Sequence, residues 1–128
     1  MTIKELIFQT IADMELNIPY SYGFSEETDF PKIVYFHVNT TEKRLSNKKK
    51  IKHPVYQLNF YDLVPHDLDS SEILQKIQNS LEDNTKLNTG SWQEVIDVNA
   101  DKKENQFMYY LEIYSWQKSL ALVEQLLS

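Results

Sequence analysis

The chain has 128 residues, a formal net charge of −6 and 41% hydrophobic residues, which fits one globular domain that buries roughly two-thirds of its unfolded surface. It holds no cysteine and only two glycines, Gly23 and Gly90. This excludes a disulfide framework and thiolate chemistry, and also phosphate loops, dinucleotide fingerprints and nucleophile elbows, which need glycines at fixed offsets.

Thr2-Ile3-Lys4-Glu5 matches a capping box, with Thr2 accepting from the amide three residues on. Ile3, Leu6, Ile7, Ile11 and Met14 then recur at helical spacing, which predicts a helix to about residue 15, with Pro19 barring its continuation. The N-terminal MTIKELIFQ lacks the basic, apolar and small-residue order of a secretory signal, and no apolar run approaches the ~18 residues of a membrane span. A soluble product outside that route is expected, with no membrane partner. Residues 17–31 carry proline, glycine, serine and the acids Glu26, Glu27 and Asp29. They predict an irregular connection with a short strand near Tyr20–Tyr22.

Ile33–Val38 is a β-branched and aromatic run and predicts a strand. In Val55–Phe60, Tyr56, Leu58 and Phe60 alternate with Gln57 and Asn59, the pattern of a half-buried strand. Between the two lies TEKRLSNKKKIKH, residues 41–53. It holds six of the thirteen cations (Lys43, Arg44, Lys48, Lys49, Lys50 and Lys52) against Glu42 alone, so the rest of the chain carries a net −11. Hairpin connections usually run two to five residues, and connections beyond roughly 12 tend to be functional or disordered. Residues 40–54 are therefore expected to form a long basic loop, mobile when free and ordered by a partner.

Val64-Pro65-His66 breaks the strand. A second helix is predicted over about 70–82, capped at Asp69 with Glu72 three residues on, stapled by Leu68 and Ile73, and striped by Ile73, Leu74, Ile77 and Leu81. Trp92–Val98 and Phe107–Trp116 predict two more strands, joined by a polar turn at Asn99–Asn105. In the last strand Phe107, Tyr109, Leu111 and Ile113 share one face, and Met108, Tyr110, Tyr114 and Trp116 share the other with Glu112. Residues 117–128 form a C-terminal apolar segment with helical spacing, Leu120, Val123 and Leu127 beside Leu122 and Leu126. The expected fold is a single α+β domain over 1–128: a mostly four-stranded antiparallel sheet packed by two helices, in the order α-β-β-α-β-β plus the C-terminal segment. The second face of the last strand lacks an evident cover. Either the C-terminal segment or another subunit packs there.

His37, His53 and His66 show no ligand spacing, and the carboxylate pairs Glu26/Glu27 and Asp67/Asp69 lie in a loop and at a helix start. No catalytic residue, cofactor or metal is expected. The basic window admits three readings: a phosphate contact, a contact to an acidic protein surface, or a solvated tether.

Element order and hydrophobic pattern carry a family resemblance, chiefly over KKIKHPVYQLNFYDLVPHDLDSSEILQKIQNSLE and the closing strand FMYYLEIYSWQ. Over roughly residues 1–116 the chain resembles the tail-terminator (tail-completion, or tail-to-head joining) proteins of long-tailed bacteriophages. The resemblance implies a non-enzymatic virion protein, assembled in the host cytoplasm as a homohexameric ring that caps the finished tail tube and meets the head-completion protein. The hairpin at 40–54 would reach toward the tail-tube protein, or toward DNA passing the lumen. Met108, Tyr110, Tyr114 and Trp116 would bury against neighbouring subunits. Residues 117–128 have no counterpart in the family pattern. Two other functions remain open: a head-completion or neck connector, and a small phage-encoded regulator that binds nucleic acid or a host protein.

Overall fold

The computed structural model describes residues 2–25, 30–45, 49–84, 86–96 and 107–115, with the backbone alone at 41–45, 49–52 and 96. Lys48, Glu26, Glu27, the Asn99–Asn105 turn, Trp116 and the segment 117–128 lie outside the described residues.

Helix α1 spans Ile3–Asp13, and Thr2 Oγ1 accepts from the Glu5 amide, the first half of the capping box. The helix stops two residues short of expectation because Glu15 and Asn17 take left-handed φ values of 52° and 58°, which end a right-handed helix. Strand β1 (Tyr20–Tyr22) pairs in parallel with β2 (Lys32–Leu45), Tyr20 opposite Ile33. Gly23 closes it at φ 86°, a conformation open to glycine, and its N–H donates to Tyr35 O at 2.9 Å.

Strand β3 (Lys49–Asp62) runs antiparallel to β2 from Lys32↔Tyr61 through Leu45↔Lys49. The segment expected as a loop over 40–54 is therefore mostly paired strand. Thr40, Thr41, Ile51 and Val55 favour extended backbone, and each added pair extends an existing ladder, which outweighs the repulsion of its like charges. Helix α2 (Glu72–Glu82) begins two residues later than predicted, because Ser71 caps it and Asp69 does not. Asp67 Oδ1 instead accepts from the Asp69 and Ser70 amides and holds a turn ahead of the helix. Leu68 and Ile73 both pack on the core.

Strands β4 (Leu87–Thr89), β5 (Gln93–Ile96) and β6 (Phe107–Ser115) complete a mixed six-stranded sheet of order β1-β2-β3-β6-β4, with β5 also on β6. β4 was not foreseen, since Leu87-Asn88-Thr89 carries a single apolar residue and no aromatic. The architecture is α+β, as expected, with two short strands added to the four.

Both helices lie on one face. Ile7, Ile11, Leu74, Ile77 and Leu81 pack with Ile33, Tyr35, Tyr56, Leu58, Phe60, Tyr109, Leu111 and Ile113 in one core. Trp92 joins it, its indole N–H donating to Leu74 O at 2.9 Å. Gln78 Nε2 donates to Gly90 O and Thr89 Oγ1, so α2 is also tied to the β4 edge through polar groups.

Candidate functional site

Two features stand outside this core. The first is the far half of the β2–β3 hairpin. Among the described residues, β6 accompanies β3 from Val55 to Asp62 and β1 accompanies β2 from Ile33 to Tyr35. Beyond Val55 the pairs Thr40↔Pro54 through Leu45↔Lys49 continue as a two-stranded ribbon, a reach of roughly 20 Å at about 3.3 Å per residue. The ribbon leaves the sheet at a register break between His37 and Asn39, where the extra residue, Val38, is exposed. Bulges bend a strand and sharpen its twist, so this break re-aims the arm. His37 marks the hinge: its ring stacks on Tyr56 at 4.7 Å and its Nε2 lies 2.9 Å from Asn39 O and Thr40 Oγ1. The six basic positions named from sequence, Lys48 apart, fall on the backbone of this arm.

The second feature is the sheet face opposite the helices. Met108, Tyr110, Glu112 and Tyr114 alternate with the buried Tyr109, Leu111 and Ile113 and are each half-buried. Register places Gln57 beside Glu112, Asn59 beside Tyr110 and Tyr61 beside Met108. A polar ladder runs along β3: Gln57 Nε2 donates to Asn59 Oδ1 at 2.7 Å, and Asn59 Nδ2 donates to Tyr61 Oη at 3.1 Å. On β6 the Tyr114 hydroxyl donates to the Glu112 carboxylate, which holds the phenol pKa above its ordinary value, burial adding to the effect. The face is thus aromatic with ordered polar groups, the composition of association surfaces that meet both protein and water. At its rim Gly23, Phe24 and Ser25 overhang Lys32, Val34, Phe36, Asn59 and Tyr61, enclosing a concavity of about 400 Å³.

Sequence reading missed a third arrangement. His66 Nδ1 lies 3.0 Å from Ser71 Oγ, and its Nε2 lies 2.7 Å from Asp62 Oδ2. Phe60 and Tyr109 meet the ring edge-on, and the His66 amide donates to Tyr109 Oη at 2.7 Å. The residue types are those of a hydrolytic triad, but Ser71 Oγ is the helix cap and accepts from the Leu74 amide. The arrangement braces the turn between β3 and α2. Asp62, His66 and Ser71 span ten residues with no fixed motif, so nothing in the sequence announced it. His53 is half-buried at the base of the arm. Among the described residues no group of three or more His, Asp or Glu is placed to hold a metal ion, and no described helix is long and apolar enough to cross a membrane.

The class that these features define is a two-layer α+β domain with helices on one sheet face and a basic β-arm projecting from the sheet. Neither a scan of protein-family models nor a search of curated proteins finds a match to this chain.

Proposed function

We propose that the chain is a non-enzymatic subunit of a phage tail-terminator ring, which caps the tail tube and forms the tail-side surface for head joining. The observation that carries this reading is the β-arm. A two-stranded ribbon is marginal in water by itself, and this one carries Lys43, Arg44, Lys49, Lys50 and Lys52 along its length. Such an arm is selected for contact with something else. The tyrosine- and methionine-bearing face of β6 supplies a second surface, suited to burial between subunits.

In this reading the arms repeat around the ring, and surface ion pairs worth about 0–1 kcal/mol each act together through multivalency. The test adds the purified protein to polymerising tail-tube protein and images the products. Tubes should stop growing and carry a ring at one end. Tubes of unrestrained length with bare ends would remove this reading and leave the neck-connector and regulator alternatives. In phage lysates, Lys48→Ser, Lys49→Ser and Lys50→Ser together should yield heads and tails that fail to join, or tails of uncontrolled length. Normal virions from that mutant would return the basic segment to a solvated tether.

A further inference from the structure

We propose that the arm is a strap between subunits, and that its partner is the acidic body of a second copy of this chain. This deepens the ring reading and rests on it only for closure into a ring. Charge segregation comes first. The window 41–53 holds six cations and one anion, and the remaining chain carries a net −11. The second argument is placement. The arm departs at the Val55–Tyr114 end of the sheet, whereas Asp62 closes the other end of β3 and leads into the connection bearing the exposed Asp67, Asp69 and Glu72. Val55 to Asp62 spans roughly 23 Å, and the arm runs roughly 20 Å beyond Val55. Asp67, Asp69 and Glu72 lie at the end of the sheet away from the arm and do not reach it within a copy. Between copies they meet head to tail.

The register of the arm supplies the third argument. Arg44 stands directly across from Lys50, one pair from Leu45↔Lys49, and Glu42↔Lys52 is the only pair of opposite charges in the ribbon. Like charges directly opposite destabilise a ladder, so the arm's own pairing is opposed near its end. An acidic surface laid along it removes that penalty. Head-to-tail contacts of this kind are heterologous: they close into rings when the rotation permits and otherwise extend as filaments. The arm length also suits the task, since a roughly 20 Å ribbon nearly matches the sheet it would lie along.

The experiment mixes unlabelled and ¹⁵N-labelled protein in equal amounts and treats the mixture with a zero-length carbodiimide, which joins amines to carboxylates in contact. Peptides linking arm lysines (Lys43, Lys49, Lys50 or Lys52) to body carboxylates should appear as mixed-isotope pairs. They should fade as salt rises from about 0.05 M to about 0.5 M, because exposed charges are screened over that range. Sedimentation should show association at low salt, weakened about tenfold or more in the Lys43→Ser, Lys49→Ser, Lys50→Ser, Lys52→Ser variant. High salt on the unaltered protein checks the same contact if the variant misfolds. Same-isotope links alone, or a monomer at every salt concentration, would overturn the proposal. So would salt-dependent binding of a short DNA duplex by the arm without self-association, which would make nucleic acid the partner. If the strap forms but tubes grow uncapped, the terminator reading fails and this one stands. If tubes are capped while arm lysines link only to tube subunits, the reverse holds.

Discussion

At Tyr109 three demands meet: a fully buried ring, a phenol oxygen that receives the His66 amide, and an edge-on contact to the His66 imidazole. Removing the hydroxyl leaves a buried donor without its acceptor, which costs about 1–3 kcal/mol. Tyr109→Phe should therefore lower the unfolding free energy measured in urea by that amount, and with it the midpoint, while preserving the far-ultraviolet spectrum. An unchanged midpoint would mean that the His66 amide finds water instead. Burial also lifts the phenol pKa values of Tyr35, Tyr56 and Tyr109 above 10.0. The folded chain then holds these protons where the unfolded chain has released them. Their contribution to stability is complete below about pH 10 and is lost as pH rises through the folded-state values. Denaturant melts between neutral pH and strongly alkaline pH should show stability falling above pH 10. Phenolate absorbance at 295 nm should rise in step with unfolding for these three.

Among the elements, α2 and the arm respond to mutation in opposite ways. α2 starts at Ser71, whose hydroxyl both caps the Leu74 amide and lies 3.0 Å from His66 Nδ1. Ser71→Ala removes both contacts, with an expected loss of about 1–2 kcal/mol. Asp69→Ala, at the position that sequence pattern marked as the cap, should cost less than half of that. Comparing the two by thermal melting decides which residue sets the helix start. Lys49 and Lys50 pair with Leu45 and Arg44 at the end of the arm away from the sheet, so neutralising Lys48, Lys49 and Lys50 should shift stability by no more than about 0.5 kcal/mol. A large loss there would show that the ribbon is part of the folding unit.

The molecule as a whole is one-sided. Its helices cover one face of the sheet, and Met108, Tyr110 and Tyr114 lie half-buried on the other. If that face packs against a neighbour, Tyr110→Lys or Tyr114→Lys should raise the dissociation constant by about tenfold or more, since central aromatic anchors carry most interface energy. The isolated subunit should keep its circular dichroism spectrum. Sedimentation of each variant, alone and with tail-tube protein, checks this. Equal association by variant and parent would assign the face to contacts within the chain. A fold that hangs a cationic arm from an anionic body also predicts association that weakens with salt, unlike the aromatic contact, which salt leaves nearly untouched.

What the sequence determined by itself was local. The cap at Thr2 follows from residue type, and the apolar stripe of α2, the alternation in Tyr56–Phe60 and the two faces of Phe107–Ser115 from a period of 3.6 or 2, and each appears in the fold. The charge partition was equally plain, being composition alone. Only the tertiary structure decided how far β2 and β3 stay paired, because a charged ribbon reads as a loop until its register to a partner strand is known. The brace of Asp62, His66 and Ser71 was hidden for a related reason. Its members share no periodicity, and they converge only because β3 ends and α2 begins beside the buried Tyr109 ring. Periodic burial is written along the chain, whereas the meeting of polar groups from different elements depends on where packing brings those elements together.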